Sequence, residues 1–210
     1  MLTAWDHVIG RDSAAAALYE LWLPRLSAAA AKTLVPAPDQ PFVGSSMPTA
    51  RLLPVLGRAA TDKAVQDVLL GPSLEQAWQE AVRLMGPAPG EWSWGRIHHA
   101  SWQHALASTE ALRAVLNLPD VPRGGDGTTP FATGSGTRQT SGASFREVID
   151  LSDWDRSTTI NVPGMSGQPG SPFYRNLLEL WADERYHPML FSREAVEANT
   201  AARLWLVPAR

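Results

Sequence analysis

Apolar residues recur at helical spacing near the start of the chain. Between residues 12 and 32 they follow steps of three and four, which predicts an amphipathic helix that Asp12 or Ser13 caps at its N-terminus. Pro24 lies inside this pattern and is expected to kink the helix, because proline lacks a backbone donor. The proline-rich residues 35–41 are expected to form a loop.

Two further helices are predicted over residues 61–70 and 73–85. Gly71 and Gly86 follow their last turns, where glycine commonly ends a helix, and Ser73 would begin a capping box. Glycine and proline then interrupt the helical pattern just after Gly86. The pattern therefore predicts a mainly helical first portion, residues 1–118.

Strand-forming residues are more common in the second portion, residues 119–210, which is predicted to be α/β. Residues 145–151 and 158–162 predict adjacent antiparallel strands joined by a short polar turn. Residues 132–142 have the composition of a flexible linker, although an ordered loop on a larger protein would fit them equally. The C-terminal expectations are a helix that begins at Ser171-Pro172 and ends at His187-Pro188, a helix over residues 192–202 capped by Ser192, and a strand over residues 203–207.

Charge and composition argue against several classes of partner. The 210 residues carry a formal net charge of -3, which supplies no basic field for nucleic acid or an anionic membrane. No apolar run approaches the roughly 20 residues that span a bilayer, so no membrane span is expected. Residues 1–7 do not resemble a signal peptide. The absence of cysteine excludes disulfides and thiolate chemistry but leaves the compartment open.

Histidines and a glycine-rich loop invite a ligand-binding interpretation. His98, His99 and His104 lack the spacing of a zinc site and a nearby acidic ligand, which favours packing or surface roles. The Gly-Gly-Asp-Gly-Thr loop at residues 124–128 lacks the lysine of a P-loop and the alternating acids of an EF-hand. A structural turn is favoured over an anion or calcium site there.

Acidic and aromatic residues could likewise serve a sugar or an apolar ligand. Asp150, Asp153 and Asp155 could form the paired carboxylates of a glycosidase, but a turn is favoured for Asp153 and Asp155. A serine triad is not supported, because the chain lacks the Gly-x-Ser-x-Gly motif. Three tryptophans lie in apolar periodic segments and are predicted to be buried anchors: Trp22, Trp78 and Trp181.

Several segments follow one another in an order that is specific to one family. Residues 142–151 read Gly-Ala-Ser-Phe-Arg-Glu-Val-Ile-Asp-Leu, and residues 159–169 read Thr-Ile-Asn-Val-Pro-Gly-Met-Ser-Gly-Gln-Pro. Ser-Pro-Phe-Tyr at residues 171–174 and Tyr-His-Pro at residues 186–188 follow. Together they resemble the C-terminal part of the β chain in the penicillin acylase (penicillin amidase) family of N-terminal-nucleophile hydrolases. The resemblance is strongest over residues 92–207.

The resemblance implies a fold and a reaction. This α+β chain would be the C-terminal portion of an αββα four-layer sandwich, with a mainly helical first part. The family cleaves amides with a serine at the N-terminus of the β chain, whose own amine, with a pKa of about 8, serves as the base. Met1 cannot supply that hydroxyl, and the internal Gly-Ser pairs lack the family's processing context. No catalytic residue is carried over, and the chain alone is expected to be inactive.

The resemblance also implies partners outside this chain. The partner would be the remainder of the acylase, namely the α chain and the N-terminal part of the β chain, and the substrate a small acyl amide of a β-lactam or an N-acyl homoserine lactone. Calcium occurs in many relatives through ligands outside this region, so no cofactor is expected here. Periplasmic or secreted location is suggested by the family.

The alternative function is a non-catalytic chain that only binds a complementary subunit, or a remnant without function. In either case the residues that match the family are expected to serve its scaffold. They are Gly124, Gly125, Asp126, Ser144, Arg146, Gly164, Ser166 and Gly167.

Overall fold

The backbone divides into two compact units. A computed structural model describes residues 1–43, 48, 51–52, 54, 56–57, 62–134 and 136–208. Unit 1 contains Met1–Ser101 and Asp120–Thr140, and unit 2 contains Trp102–Pro119 and Ser141–Arg210. Helices and two small sheets make up the described residues, so the chain is α+β. Within that part of the chain, no helix combines the length and apolar character needed to cross a bilayer.

The described elements begin with five helices, and the strands lie after them in the chain, with three further helices among and after the strands. The helices are α1 (Ala14–Leu34), α2 (Gln40–Val43), α3 (Lys63–Val65), α4 (Gly71–Met85), α5 (Trp94–Ile97), α6 (Glu110–Leu116), α7 (Leu178–Ala182) and α8 (Arg193–Ala198). The strands are β1 (His99–Ala100), β2 (Val121–Pro122), β3 (Arg138–Gln139), β4 (Phe145–Val148), β5 (Thr158–Asn161) and β6 (His187–Pro188).

The core of unit 1 lies between α1 and α4. The Oγ atom of Ser13 accepts a hydrogen bond from the backbone N–H of Ala16 at 3.1 Å, which confirms the predicted cap of α1. The helix continues through Pro24 to its end at Leu34. Small side chains let α1 and α4 pack closely, and two tryptophans belong to the same cluster. The fully buried members are Ala16, Ala17, Leu18, Leu21, Ala77, Ala81, Met85, Trp92 and Trp94.

The predicted break at Gly71 is wrong. A π-helical turn over Gln66–Leu70 joins α3 to α4, and Gly71 has the right-handed helical angles φ -58° and ψ -59°. Ser73 lies inside the helix and is not a cap; its hydroxyl donates to the carbonyl of Leu69 and accepts from Trp22 Nε1 at 2.9 Å. The tertiary bond to Trp22 therefore replaces the capping box. Gly86 does end α4, with φ +91°.

Among the described residues, each unit contains one three-stranded sheet. In unit 1 the order is β2-β1-β3, with β1 antiparallel to β2 and parallel to β3. In unit 2 the order is β4-β5-β6 and both pairs are antiparallel, which confirms the predicted pairing of the β4 and β5 segments. The β3 strand corrects the linker interpretation of residues 132–142: Gln139 and Thr133 are buried there.

Three C-terminal predictions differ from the structure. The helix expected to begin at Ser171 begins only at Leu178, because the carbonyl of Phe173 accepts hydrogen bonds from Met165 and Ser166 and is not available to a helix. The cap at Ser192 is confirmed, but α8 ends at Ala198. Residues 203–207 were expected to be a strand, yet they have no regular structure and are exposed.

Candidate functional site

The glycine-rich loop at residues 124–128 is fixed by its backbone. Gly125 adopts φ +78° and its N–H donates to the carbonyl of Ile9 at 2.7 Å. A Cβ atom at Gly124 would lie 2.9 Å from that same carbonyl oxygen, so only glycine fits this approach without a shift. Both glycines that match the family thus hold the loop against the segment that precedes α1.

Asp126 continues this loop as the centre of a turn. Its Oδ1 atom accepts hydrogen bonds from the backbone N–H of Thr128 at 2.8 Å and of Thr129 at 2.9 Å, and from the Thr128 hydroxyl at 2.9 Å. The Asp126 carbonyl accepts from Thr133 N–H at 3.0 Å. These are the contacts of a structural turn, and they leave the charge of Asp126 close to a neighbouring cavity.

A cavity of about 380 Å³ opens beside this turn, within unit 1. We call it the Glu20 cavity, because the buried Oε1 atom of Glu20 has no hydrogen-bond partner among the described residues. Burial raises the pKa of the Glu20 carboxyl from 4.5 to about 8, and the charge of Asp126 adds to the shift. Its lining residues are Glu20, Leu21, Pro24, Arg25, Trp94, Asp126, Gly127, Thr128, Gly134, Gly136 and Thr137.

The sequence pattern contained a signal for Glu20 that our sequence analysis missed. Glu20 follows Ala16 by four residues and Ala17 by three, so it projects from the face of α1 that is buried. Trp94, which lines the same cavity, donates from Nε1 to the carbonyl of Gly125 at 2.9 Å. An acidic residue on the apolar face of an amphipathic helix is the feature that marks this site.

The three candidate metal-ligating histidines have separate surroundings. His98 is completely buried, stacks on Trp94 with a ring-centroid distance of 4.5 Å, and its Nδ1 atom lies 2.9 Å from the carbonyl oxygen of Arg123. Burial lowers the pKa of His98. His104 instead accepts a hydrogen bond from Leu106 N–H. Across the described ranges, no group of three histidine or acidic residues is arranged to hold a metal ion.

Arg146 connects β4 to α7 in unit 2. Its Nη2 atom donates to the carbonyl of Trp181 at 2.9 Å, and its guanidinium carbon lies 5.5 Å from the ring centroid of Trp181 and 5.3 Å from that of Tyr186. Burial lowers the pKa of this guanidinium. Ser144, which also matches the family, accepts a hydrogen bond from Val162 N–H through its carbonyl oxygen. These contacts position the edge strand β4 on the core of unit 2.

The segment with Gly164, Ser166 and Gly167 packs against the turn that precedes α7. The backbone N–H of Ser166 donates to the carbonyl of Phe173 at 3.1 Å, and its hydroxyl accepts from Gln168 N–H at 3.1 Å. Gly164 is in close contact with the same turn, whereas Gly167 has open space around it. The family-matching glycines therefore have different surroundings.

This difference gives a matched pair of substitutions. A Cβ atom at Gly164 would overlap the carbonyl oxygen of Phe173 and lie 2.6 Å from that of Tyr174, while one at Gly167 would meet nothing within 4 Å. We expect Gly164→Ala to lower the free energy of unfolding by about 2 kcal/mol, as overpacking does, and Gly167→Ala to change it by less than about 0.5 kcal/mol. Urea denaturation of both variants measures this; equal midpoints would contradict it.

The acidic turn near Trp154 organises the backbone of unit 2. Asp150 Oδ1 accepts from Ser152 N–H at 2.9 Å, and Asp153 Oδ1 accepts from Asp155 N–H at 3.1 Å. Asp155 reaches farther, since its Oδ1 atom accepts from the N–H groups of Phe191 at 2.7 Å and Ser192 at 2.9 Å. Hydrogen bonds from Ser192 and Phe191 lower the pKa of Asp155. These carboxylates serve turns, as the sequence spacing favours.

Comparison with known proteins identifies the family. The family model described as penicillin amidase matches residues 1–198. The chain belongs to the penicillin amidase family. The match includes the helical first part, where the resemblance read from the sequence alone was vaguer.

Relatives within the penicillin amidase family are much longer than this chain. The chain is 35% identical over 147 residues to penicillin acylase 2 proenzyme of Pseudomonas sp. strain SE83, covering 68% of this chain and 19% of the relative. It is 28% identical to acyl-homoserine lactone acylase QuiP of Pseudomonas putida strain KT2440, covering 100% of this chain and 28% of the relative. The chain therefore spans between about a fifth and just over a quarter of these relatives.

Proposed function

We propose that this chain is the C-terminal part of an amide hydrolase that removes acyl groups from β-lactam side chains, N-acyl homoserine lactones or related amides. The observation that carries the proposal is the penicillin amidase match over residues 1–198 together with relatives named as acylases. Coverage of only 19% and 28% of those relatives supports a role as one portion of a larger enzyme.

In this proposal the chain supplies scaffold and the rest of the protein supplies the nucleophile. The resemblance puts the reactive serine, with its own amine as the base, at the start of the β chain, upstream in sequence of the family-matching residues of this chain. Binding the remainder of the acylase would complete an αββα sandwich in the periplasm or outside the cell. Calcium in such an enzyme would be held largely by residues outside this chain, as the resemblance to the family implies.

Exposed apolar surface in unit 2 supports the need for a partner chain. Among the described residues, β4 pairs with β5 along one edge only, and Phe145 and Val148 on β4 are 53% and 60% exposed. Leu204, Trp205, Leu206 and Val207 are each at least 80% exposed. Open strand edges and contiguous apolar residues favour association. We propose that the remainder of the acylase covers them.

Complementation tests this function. The purified 210-residue chain should show no hydrolysis of phenylacetyl or aliphatic acyl amides, because the proposal assigns the serine and its amine to the remainder of the acylase. Co-expression with the upstream portion of a penicillin amidase family relative should raise its soluble yield and produce hydrolysis. A co-expressed upstream portion whose N-terminal serine is replaced by alanine is the control, and it should bind without hydrolysis.

Two outcomes would contradict the proposal. Hydrolysis by the isolated chain that is lost when one of its own serines is replaced would show that the nucleophile lies within it. The isolated chain could also be a monodisperse monomer that exposes no dye-binding apolar surface and does not bind the upstream portion. That result would show that it needs no partner. Binding without hydrolysis in every combination would favour the alternative, a non-catalytic complementary subunit.

A further inference from the structure

The Glu20 cavity has the dimensions and the walls of a small-molecule site. Its volume of about 380 Å³ lies at the small end of the ~300–1,000 Å³ range of ligand pockets. Leu21, Pro24 and Trp94 provide apolar walls, and Glu20, Arg25 and Asp126 provide charge. All of these residues belong to unit 1. A ligand here would therefore place a short apolar body against α1 and a polar end near Glu20.

The polar groups around the cavity differ in whether they already form hydrogen bonds within the protein. The Asp126 carboxylate accepts four hydrogen bonds within its own turn, three at Oδ1 and one at Oδ2. Arg25 donates from Nη1 to the carbonyl of Leu21 at 2.6 Å. Glu20 Oε1 is buried and has no partner among the described residues. A buried acceptor that lacks a donor is unfavourable, so Glu20 is the group that a ligand donor would satisfy.

The charge around Glu20 favours a cation. Asp126 on the facing loop is close enough to affect the Glu20 carboxyl, so an anionic ligand would meet two acids. A guanidinium fork uses both oxygens of a carboxylate, whereas a compact ammonium group can donate to one. The buried Oε1 atom of Glu20, which has no partner among the described residues, can accept one such hydrogen bond from an ammonium group.

We propose that the Glu20 cavity binds a primary alkylammonium ion, with the Glu20 carboxylate as its ion-pair partner and Leu21, Pro24 and Trp94 around its alkyl chain. This site is separate from amide hydrolysis, and it needs no residue of the missing nucleophile. The proposal can therefore succeed or fail independently of the proposed function.

Binding should be linked to a proton. Because the Glu20 carboxyl has a pKa of about 8, most of it is protonated at pH 7, and an ammonium ion would displace that proton to the buffer. Asp126 on the facing loop and Tyr19 and Arg25 on α1 are the other ionisable groups close by. Alkylammonium ions keep their charge up to pH values near about 10. Affinity should therefore increase from pH 6 to pH 9.

Titration calorimetry with n-hexylammonium tests the site. We use the full 210-residue chain, together with its acylase portion if the two purify as a complex, and compare n-hexanol and hexanoate as probes of the same length. Glu20→Gln should weaken hexylammonium binding by about tenfold or more, since it removes a charge-assisted hydrogen bond. Glu75→Gln, at an exposed position of α4, should leave binding unchanged.

The results either support or overturn the site. One saturable hexylammonium site in the original chain and in Glu75→Gln, weakened in Glu20→Gln, supports it. Measurements in buffers of different ionisation enthalpy should also show proton release at pH 7, a readout that does not depend on the variant. Absence of hexylammonium binding, equal binding of hexanol or hexanoate, or unchanged affinity in Glu20→Gln would overturn it.

Discussion

Replacing Trp181 with alanine is expected to lower the free energy of unfolding by about 4 kcal/mol. Trp181 is 1% exposed, and its Nε1 atom donates to the carbonyl of Ala143 at 3.0 Å. Its ring packs on Trp102 at a centroid distance of 5.3 Å and faces Arg146. The substitution removes the largest side chain of the unit 2 core and leaves a cavity beside a buried guanidinium.

Urea unfolding followed by circular dichroism measures this loss, and the chain contains its own control. Trp205 is 80% exposed and lies in the C-terminal residues without regular structure. Trp205→Ala should change the free energy of unfolding by less than about 0.5 kcal/mol in the isolated chain. Similar midpoints for the two variants would show that Trp181 does not hold unit 2 together.

Replacing Glu20 with glutamine is expected to make the chain relatively more stable as the pH rises. The folded Glu20 carboxyl has a pKa of about 8 in place of 4.5, so between these values the folded state holds a proton that the unfolded state has released. The favourable term from Glu20 is complete below pH 4.5 and is lost as the pH rises through 8. Glutamine does not ionise, so Glu20→Gln does not lose this stabilisation as the pH rises.

The expected size of the Glu20 effect is on the order of 3 kcal/mol between pH 5 and pH 9, since each pKa unit corresponds to about 1.4 kcal/mol and the partial exposure of the side chain screens part of the shift. The measurement is the difference in unfolding free energy between the original chain and Glu20→Gln at each pH. The lowered pKa of His98 also makes stability depend on pH, but His98 is present in the original chain and in Glu20→Gln, so its contribution cancels in this difference.

The exposed Glu75 provides the reference for this pH series. Glu75→Gln should follow the pH dependence of the original chain, because Glu75 is exposed on α4 and does not line the Glu20 cavity. A difference between the original chain and Glu20→Gln that stays constant from pH 5 to pH 9 would contradict the raised pKa.

Local patterns predicted the elements whose ends are decided by nearby residues. The Ser13 cap, the Gly86 end of α4 and the Ser192 cap each depend on a backbone group a few residues away, and each is present. Predictions failed where a distant partner decides. The Ser73 hydroxyl accepts from Trp22, and the Phe173 carbonyl accepts from Met165, so no helix starts at Ser73 or at Ser171.

The same distinction applies to the candidate site. The turn at Asp126 follows from its own loop chemistry and was favoured by the sequence. The Glu20 cavity forms where α1 meets the glycine-rich loop, which lies more than a hundred residues later in the sequence. A local sequence pattern cannot predict a contact over that separation. Family resemblance named the loop residues, but only the folded arrangement places their charge beside Glu20.

The return of the chain to unit 1 affects the order in which that unit can form during synthesis. The α1 and α4 pair is complete once Met85 has been made, but β3, which pairs with β1, comes from Arg138–Gln139. Between them, Trp102–Pro119 belongs to unit 2. On the ribosome the helical pair can therefore form early, while the sheet waits for residue 140. For the same reason, a protease cut within residues 102–119 would leave two pieces of unit 1 that remain joined through β1, β2 and β3.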